Sequence, residues 1–600
     1  MSPQFLLRLE RLSRRWIEIV SFRTKLAIAI LVVISGLCYL PGQTILPAVD
    51  RTEGVVALSS RNIAETGNPL DPRWGDNLQV HRPAGTFWVQ AVAVSLLGKD
   101  GFTNISVYRL PSYLASVLAV VLIYALGRGL FGAKPALLAA LAVGVTPIVA
   151  LQAQLAIAEP LILPLTVTSQ LALFGIYSSR GPPRWFGLSG LFWIALGIST
   201  WFNALAVPLL ALMTVLGLVT TNRSLRLIGR LAPWVGLPIF VVASLPWLYS
   251  LTVIGDGQPF SGLDWYQTLE VLEGGQEMKF NTPHGVFVLF VALAFIPVSH
   301  MLGPAVVRAW AARRERAVHF LLVWLIVPVV ALEIFSNKPP LYTVQAVFPA
   351  AALLVGLAMT GRLGIGEAFK AWPGFFTVAS LFAIIVTPLF AGALLWLTAT
   401  PPTLAVVIGG AAIIALFVVA GWAAAKGQSH AWFSTSIAAT IALDLWFFGA
   451  LMPGLRNTWT APQVRGVVDD LRACGVRDIV IAGFREPSLP LAIGDKARIL
   501  MGEAADWDAE LSKAWTIVET REYEAIGGGL PYGRPISMAI ETRGCIRSID
   551  LAQGCLLDFL VRPPARPVGD DPPAGQASCE LRVPRACRPI GRDEYWLDLK

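Results

Sequence analysis

Four places in the sequence put ionisable or polar side chains where an otherwise apolar chain would exclude them. Asp50 and Glu53, in LPAVDRTEGVVAL (Leu46 to Leu58), are three residues apart, so on a helix they share a face and can offer two carboxylates to one substrate or cation. His81 and Arg82, in NLQVHRPAGTFW, set a base beside a planar cation suited to phosphate oxygens. Glu159 is the one acid in QLAIAEPLILP, where an isolated charge is costly and usually functional. Lys338 and Tyr342 flank the stiff Pro339-Pro340 turn of FSNKPPLY. A carboxylate that deprotonates or orients an acceptor, with cations that offset charge on a departing phosphate, is equipment for moving a group off a phosphate ester. Each group also has a structural alternative. Acids balance the dipole of a helix start, Arg meets lipid headgroups, and Lys snorkels at span ends.

The elements that must position these residues are membrane spans. The chain has 600 residues, of which 55% are hydrophobic and 14% charged, and its mean hydropathy is +0.62. That balance excludes a water-soluble globule and defines an α-helical polytopic membrane protein. The formal charge of +8 sits in short Arg/Lys clusters between apolar segments, which read as orientation signals and not as a nucleic-acid surface. At about 20 apolar residues per span, about thirteen spans are expected. They lie near 25–45, 107–130, 135–152, 159–177, 185–200, 203–219, 231–253, 283–303, 319–335, 342–360, 374–398, 403–425 and 431–452. Residues 1–24 form a basic, amphipathic segment before the first of them. Arg128/Lys134, Arg180/Arg184, Arg223/Arg226/Arg230, Arg308 to Arg316, Arg362/Lys370 and Lys426 all fall on the side of the N-terminus. The positive-inside tendency makes that side cytoplasmic. An odd number of spans then puts the first long loop, 47–106, and residues 458–600 outside, and leaves 25–457 as the membrane domain.

Within the outer loop, RTEGVVALSSRNIAET runs to a Gly67-Asn68-Pro69 stop and PAGTFWVQAVAVSLLG runs from Pro83 to Gly98. Both are expected to be helices at the membrane surface, with Trp88 in the lipid interface. A loop of this length is generally functional. Beyond Thr458, VRDIVIAGF, WTIVETREY and ISMAIETRG read as strands and DWDAELSKAW as a helix, which gives a small C-terminal α/β domain. Five of the six cysteines lie in this domain, where Cys545/Cys555 and Cys579/Cys587 are the simplest disulfide pairs. Cys474 is then expected to be a buried small residue.

The order of these motifs resembles that of bacterial GT-C glycosyltransferases of the aminoarabinose transferase and protein mannosyltransferase superfamily. The resemblance runs from about Leu46 to Thr360 through DRTEG, ETGNPLDPRW, HRPAGTFWVQAVAVSLLG, AIAEPLIL and SNKPPLYTVQAVFPA. It implies a GT-C fold with a periplasmic C-terminal domain in a bacterial inner membrane. It also implies an inverting transferase, with a polyprenyl-phosphate (undecaprenyl-phosphate) sugar as donor and lipid A or another glycolipid as acceptor. In that reading Asp50 or Glu53 is the base or orienting acid and Glu159 the second carboxylate. Arg82, Lys338, Tyr342 and His81 contact the donor phosphate. Glu53 and Glu159 could hold a divalent cation; no other cofactor is implied, and the partners are donor, acceptor and membrane lipids.

The chain departs from the family pattern at the same places. Thr52-Glu53 stands where an Asp-Glu pair is usual, Gly54-Val55-Val56 where ARY is usual, Arg82 for Lys, and Glu159 for Asp. A catalytically impaired scaffold or lipid-linked sugar binder is therefore one alternative, and a protein O-mannosyltransferase another. A flippase would spread its polar groups to mid-membrane depth and often repeat its halves, whereas these collect at the outer ends.

Overall fold

The computed structural model describes residues 3–49, 51–75, 77–79, 83–97, 101–179, 182–254, 283–335, 344–360, 373–398, 400–455, 458–473, 475–482, 486–500, 514–519, 545–550 and 555–562. Helix α1 (Pro3–Phe22) leads through an extended Arg23 into α2 (Thr24–Ile45), the first span. The loop 47–106 carries α3 (Arg51–Thr66), the short ribbon β1 (Arg73–Trp74) and β2 (Asn77–Leu78), and α4 (Gly85–Leu97). The bundle continues with α5 (Ile105–Phe131), α6 (Ala133–Gly144), α7 (Pro147–Ala153), α8 (Glu159–Ser178), α9 (Pro182–Ser199), α10 (Ala206–Asn222), α11 (Arg226–Arg230) and α12 (Pro233–Ile254). After it come α13 (Val286–Ala294), α14 (Ser299–Ala311), α15 (Arg316–Phe335), α16 (Phe348–Met359), α17 (Pro373–Leu397), α18 (Leu404–Ala425) and α19 (Ser429–Trp446). A π-helical turn, Phe447–Leu451, extends α19.

Among the described residues, eight helices are long and apolar enough to cross a membrane, and two bent pairs bring the number to ten if each is one span. The first pair, α6 and α7, turns by 62° at Pro147; the second, α13 and α14, turns by 113° across a break that contains Pro297. Proline lacks the amide that would continue the ladder, so the axis breaks there. The remaining expected spans, near 185–200, 203–219 and 342–360, are shorter apolar helices within α9, α10 and α16. The bundle is thus the expected polytopic architecture. Small residues let its helices close in. A Cβ on Gly127 of α5 would lie 2.5 Å from Leu353 and 3.0 Å from Ala136, and one on Gly356 of α16 would lie 2.4 Å from the Pro135 carbonyl oxygen. Helix α16 is consequently buried on all sides from Phe348 to Ala358, as small-residue packing in lipid permits.

After α20 (Thr460–Ala473), strand β3 (Ile479–Ala482) pairs in parallel with β4 (Arg498–Ile499) and β5 (Trp515–Glu519), and α21 (Ser488–Ile493) connects the first two. Strands β6 (Cys545–Asp550) and β7 (Cys555–Arg562) complete an order of β4-β3-β5-β7-β6, with β5, β7 and β6 antiparallel. The α/β character is as expected, whereas most of DWDAELSKAW, all of ISMAIETRG and Cys474, Cys579 and Cys587 lie outside the described residues. The Cys545/Cys555 pairing is corrected. Cys545 stands opposite Leu560 and Cys555 opposite Asp550, at the two ends of the β6–β7 ladder. Five rungs at about 3.4 Å each separate them by roughly 17 Å, far beyond the Cα separation a disulfide allows.

The outer-loop helices have the expected bounds but different surroundings. Helix α3 is buried without a break from Glu53 to Ser60 and so is not a helix lying on a membrane surface. The C-terminal domain covers it: Leu491 of α21 packs with Ala57 and Leu58, and a Cβ on Gly54 would lie 2.8 Å from Pro487. Arg61 of α3 also pairs with Asp495 at 3.1 Å. Trp88 of α4, half-buried, is held by protein groups. Its indole donates to the Pro69 carbonyl at 2.8 Å and packs edge-on against Trp201 with centroids 5.9 Å apart. Val92, Leu96 and Leu97 form the exposed apolar side of α4.

Candidate functional site

The C-terminal end of α2, the start of α3, the N-terminal end of α5 and the segment between α7 and α8 meet around one buried ion pair. Glu53 and Arg109 are both fully buried and form a two-pronged contact, Nε to Oε1 at 2.7 Å and Nη2 to Oε2 at 2.8 Å. Arg109 also donates to the carbonyls of Gly42 and Leu46 through Nη1 and of Pro47 through Nη2, each at 2.7 Å. All five guanidinium N–H donors are therefore used. Helix α2 ends at Ile45, and Arg109 collects one carbonyl of its last turn, that of Gly42, and two just beyond it, those of Leu46 and Pro47.

Glu53 is equally saturated. Besides Arg109, its Oε1 accepts from the Ala156 amide at 2.8 Å and its Oε2 from the Val49 amide at 2.9 Å. All four strong acceptor positions of the carboxylate face groups of the protein. Gln43 ties the same corner from below, donating to the Arg109 carbonyl at 3.0 Å. Such a pair is strongly stabilising against loss of one partner, because the survivor would be a buried charge.

The clamp fixes two neighbourhoods. One is the chain at Val49, directly before Asp50. The other is 154–158, the irregular stretch into α8, where Ser112 also donates to the Ile157 carbonyl at 3.3 Å. Glu159 follows, half-buried, as the first residue of α8 ahead of Pro160, so its carboxylate stands at the positive end of that helix. Of the residues picked from sequence, the structure thus links Glu53 to the segment carrying Glu159. Asp50, His81, Arg82, Lys338 and Tyr342 lie outside the described residues.

Next to the segment of Lys338 and Tyr342, Glu333 of α15 accepts from the amides of Gly285 and Val288, both at 2.7 Å, and so caps α13. Sequence reasoning missed this residue and Arg109. The signal for Arg109 was a charge in the first two turns of an apolar span, which generally has a partner. Among the described residues no group of three His, Cys, Asp or Glu is placed to hold a metal ion, and Glu53 has no acceptor position left for one. The described residues do not fit the divalent cation expected at Glu53 and Glu159.

Spans gathered around one polar corner, with a small sheet domain packed over α3, define the class: a polytopic GT-C-type membrane fold. The family described as dolichyl-phosphate-mannose-protein mannosyltransferase matches residues 81–249. The crystal structure of ArnT from Cupriavidus metallidurans in the apo state superposes with a TM-score of 0.68 at 16% identity, covering 90% of this chain and 99% of that one. The same protein bound to undecaprenyl phosphate gives 0.67 at 16% identity, over 89% and 97% of the two chains. An undecaprenyl phosphate-alpha-4-amino-4-deoxy-L-arabinose arabinosyl transferase of Pseudomonas fluorescens is 25% identical over 369 residues, 59% of this chain and 62% of its own. A transferase of the same description from Pseudomonas aeruginosa is 25% identical over 309 residues, 50% and 54%. More particularly, then, the chain resembles these transferases in sequence and ArnT in fold, and the resemblance expected from its motifs is borne out. In sequence, the match spans only 54% to 62% of the length of these two curated relatives.

Proposed function

We propose that the chain is an inverting glycosyltransferase that moves a sugar from a polyprenyl-phosphate donor to a lipid or glycolipid acceptor at the outer face of a bacterial inner membrane. The observation that carries this reading is the anchoring, by one carboxylate, of the chain next to Asp50 and of the segment leading into Glu159. The names of the relatives supply the donor class, undecaprenyl phosphate carrying an amino sugar, and the Arg/Lys clusters support a cytoplasmic N-terminus and a periplasmic C-terminal domain.

In this mechanism Asp50 takes the proton of the acceptor nucleophile. The nucleophile's lone pair forms the new bond to the sugar's anomeric carbon as the bond from that carbon to the phosphate oxygen breaks, and the configuration inverts. The electron pair leaves with the polyprenyl phosphate. Arg82 and Lys338 offset its charge, and Tyr342 and His81 contact the phosphate as hydrogen-bonding groups. Glu159 orients the acceptor as second carboxylate. Glu53 becomes a positioning residue, since every strong acceptor position it has is used by the protein. No step is routed through a metal.

A scaffold that binds the lipid-linked sugar without turning it over is the second reading. Thr52-Glu53 in place of an Asp-Glu pair favours it. Sugar release from a panel of polyprenyl-phosphate sugars by the purified chain separates the two. Release that Asp50→Asn or Glu159→Gln abolishes, with the protein still folded, supports the transferase; donor binding without release by the parent chain supports the scaffold.

A further inference from the structure

We propose that α1 is a binding surface for anionic phospholipid headgroups, lying in the plane of the leaflet at the N-terminal side of the bundle. Helix α1 has three faces. Leu6, Ser13, Ile17 and Val20 are buried against the bundle. Phe5, Leu12, Trp16 and Ile19 are exposed by 42%, 64%, 38% and 47%. Arg8, Arg11 and Arg15 are exposed as well. At 3.6 residues per turn each set covers an arc of roughly 60°, and the exposed apolar arc lies between the buried one and the arginines. A soluble helix would have a polar surface next to its buried stripe; this one has a second apolar stripe and then a cationic edge, the pattern of an interfacial helix.

Its contacts set its attitude. Glu10 accepts from the Ala431 amide at 2.6 Å and bonds the His430 ring at 2.8 Å, at the first residues of α19. Glu18 lies within electrostatic reach of Lys134, at the start of α6. Helix α1 packs on α6 as well as on α19, and the groups facing Glu10 and Glu18, about 12 Å apart along its axis, lie at the first residues of those two helices, so α1 crosses the span ends and does not run alongside a span. The extended Arg23 then lets α2 turn into the membrane from Thr24. At that depth acyl chains are available to Phe5, Leu12, Trp16 and Ile19, and phosphates to the arginines. Arg14 is occupied with Glu18 at 3.1 Å, whereas Arg8, Arg11 and Arg15 have no carboxylate partner among the described residues. Phosphate oxygens suit three such guanidinium groups, and an acidic headgroup adds the charge complement.

The test uses the full chain. Native mass spectrometry in mild detergent, with equal phosphatidylglycerol and phosphatidylethanolamine added, should find phosphatidylglycerol retained preferentially, and the R8Q/R11Q/R15Q variant should retain about tenfold less of it. A photo-crosslinking residue in place of Leu12, in vesicles of the same two lipids, should capture phospholipid. Undiminished retention of phosphatidylglycerol by the triple variant, or a crosslink from position 12 only to a second copy of the chain, would overturn the proposal. Neither measurement depends on sugar transfer.

Discussion

The Glu53 carboxylate accepts a hydrogen bond from the Ala156 amide at 2.8 Å across 103 residues of sequence. One side chain in the first turn of the outer-loop helix thereby sets the entry to α8, on which Glu159 is the first residue. Because Arg109 holds the other edge of the same carboxylate and three carbonyls around the end of α2, the corner behaves as a single unit.

Removing one partner of the clamp should therefore cost more than removing both. Glu53→Ala leaves the Arg109 charge buried and is expected to destabilise by about 3–5 kcal/mol. Glu53→Gln is also disruptive, since each oxygen now accepts two N–H groups and an amide NH2 at either position would face two donors. Thermal unfolding in detergent of E53L, R109M and the double variant should give a coupling of opposite sign to the single losses. Additive losses would mean that the pair does not act as a unit.

Gly54 lies where α3 meets the C-terminal domain. A Cβ there would stand 2.8 Å from Pro487 Cβ and 3.0 Å from the Pro487 carbonyl carbon and the Ser488 amide nitrogen, and backbone cannot give way as a flexible side chain would. Gly54→Ala should cost about 1–3 kcal/mol and make the C-terminal domain easier to release by limited proteolysis. Gly466, exposed in α20 with nothing within 4 Å of its Cβ position, is the control. Gly466→Ala should be neutral or stabilising by up to about 1 kcal/mol.

Much of the fold was legible because its signals are local. The Gly67-Asn68-Pro69 stop gave the end of α3 to the residue, and apolar runs between Arg/Lys clusters located the spans. What was not legible depends on residues distant in the chain. The apolar positions of α3 suggested a membrane surface, yet they are covered by Leu491 and Pro487, more than 400 residues later. The edge-on contact of Trp88 with Trp201 could not be seen from its own segment. Glu53 had the right residue type for a base, but only its four hydrogen bonds, from groups up to 103 residues away, reveal that it is spoken for.

The β6–β7 register carries a covalent prediction. With Cys545 opposite Leu560 and Cys555 opposite Asp550, non-reducing peptide mapping of the purified protein should find no bond between these two cysteines. Detection of that bond would require a register different from the one observed.

The anchoring of α1 should depend on pH. Burial alone would raise the Glu10 carboxyl, but hydrogen bonds from His430 and Ala431 and the His430 charge outweigh it, and the net effect holds Glu10 below its ordinary value. A carboxyl depressed on folding contributes stability that is fully present above its unfolded value, about 4.3 for glutamate, and lost as pH falls through the lower folded value. Hydrogen exchange of α1 in the full chain, once the intrinsic pH dependence of exchange is removed, should accordingly rise as pH falls below about 4.3. Glu10→Gln, which has no charge to lose, should exchange faster at neutral pH and show no acid step; an unchanged acid step in that variant would assign the transition to another group.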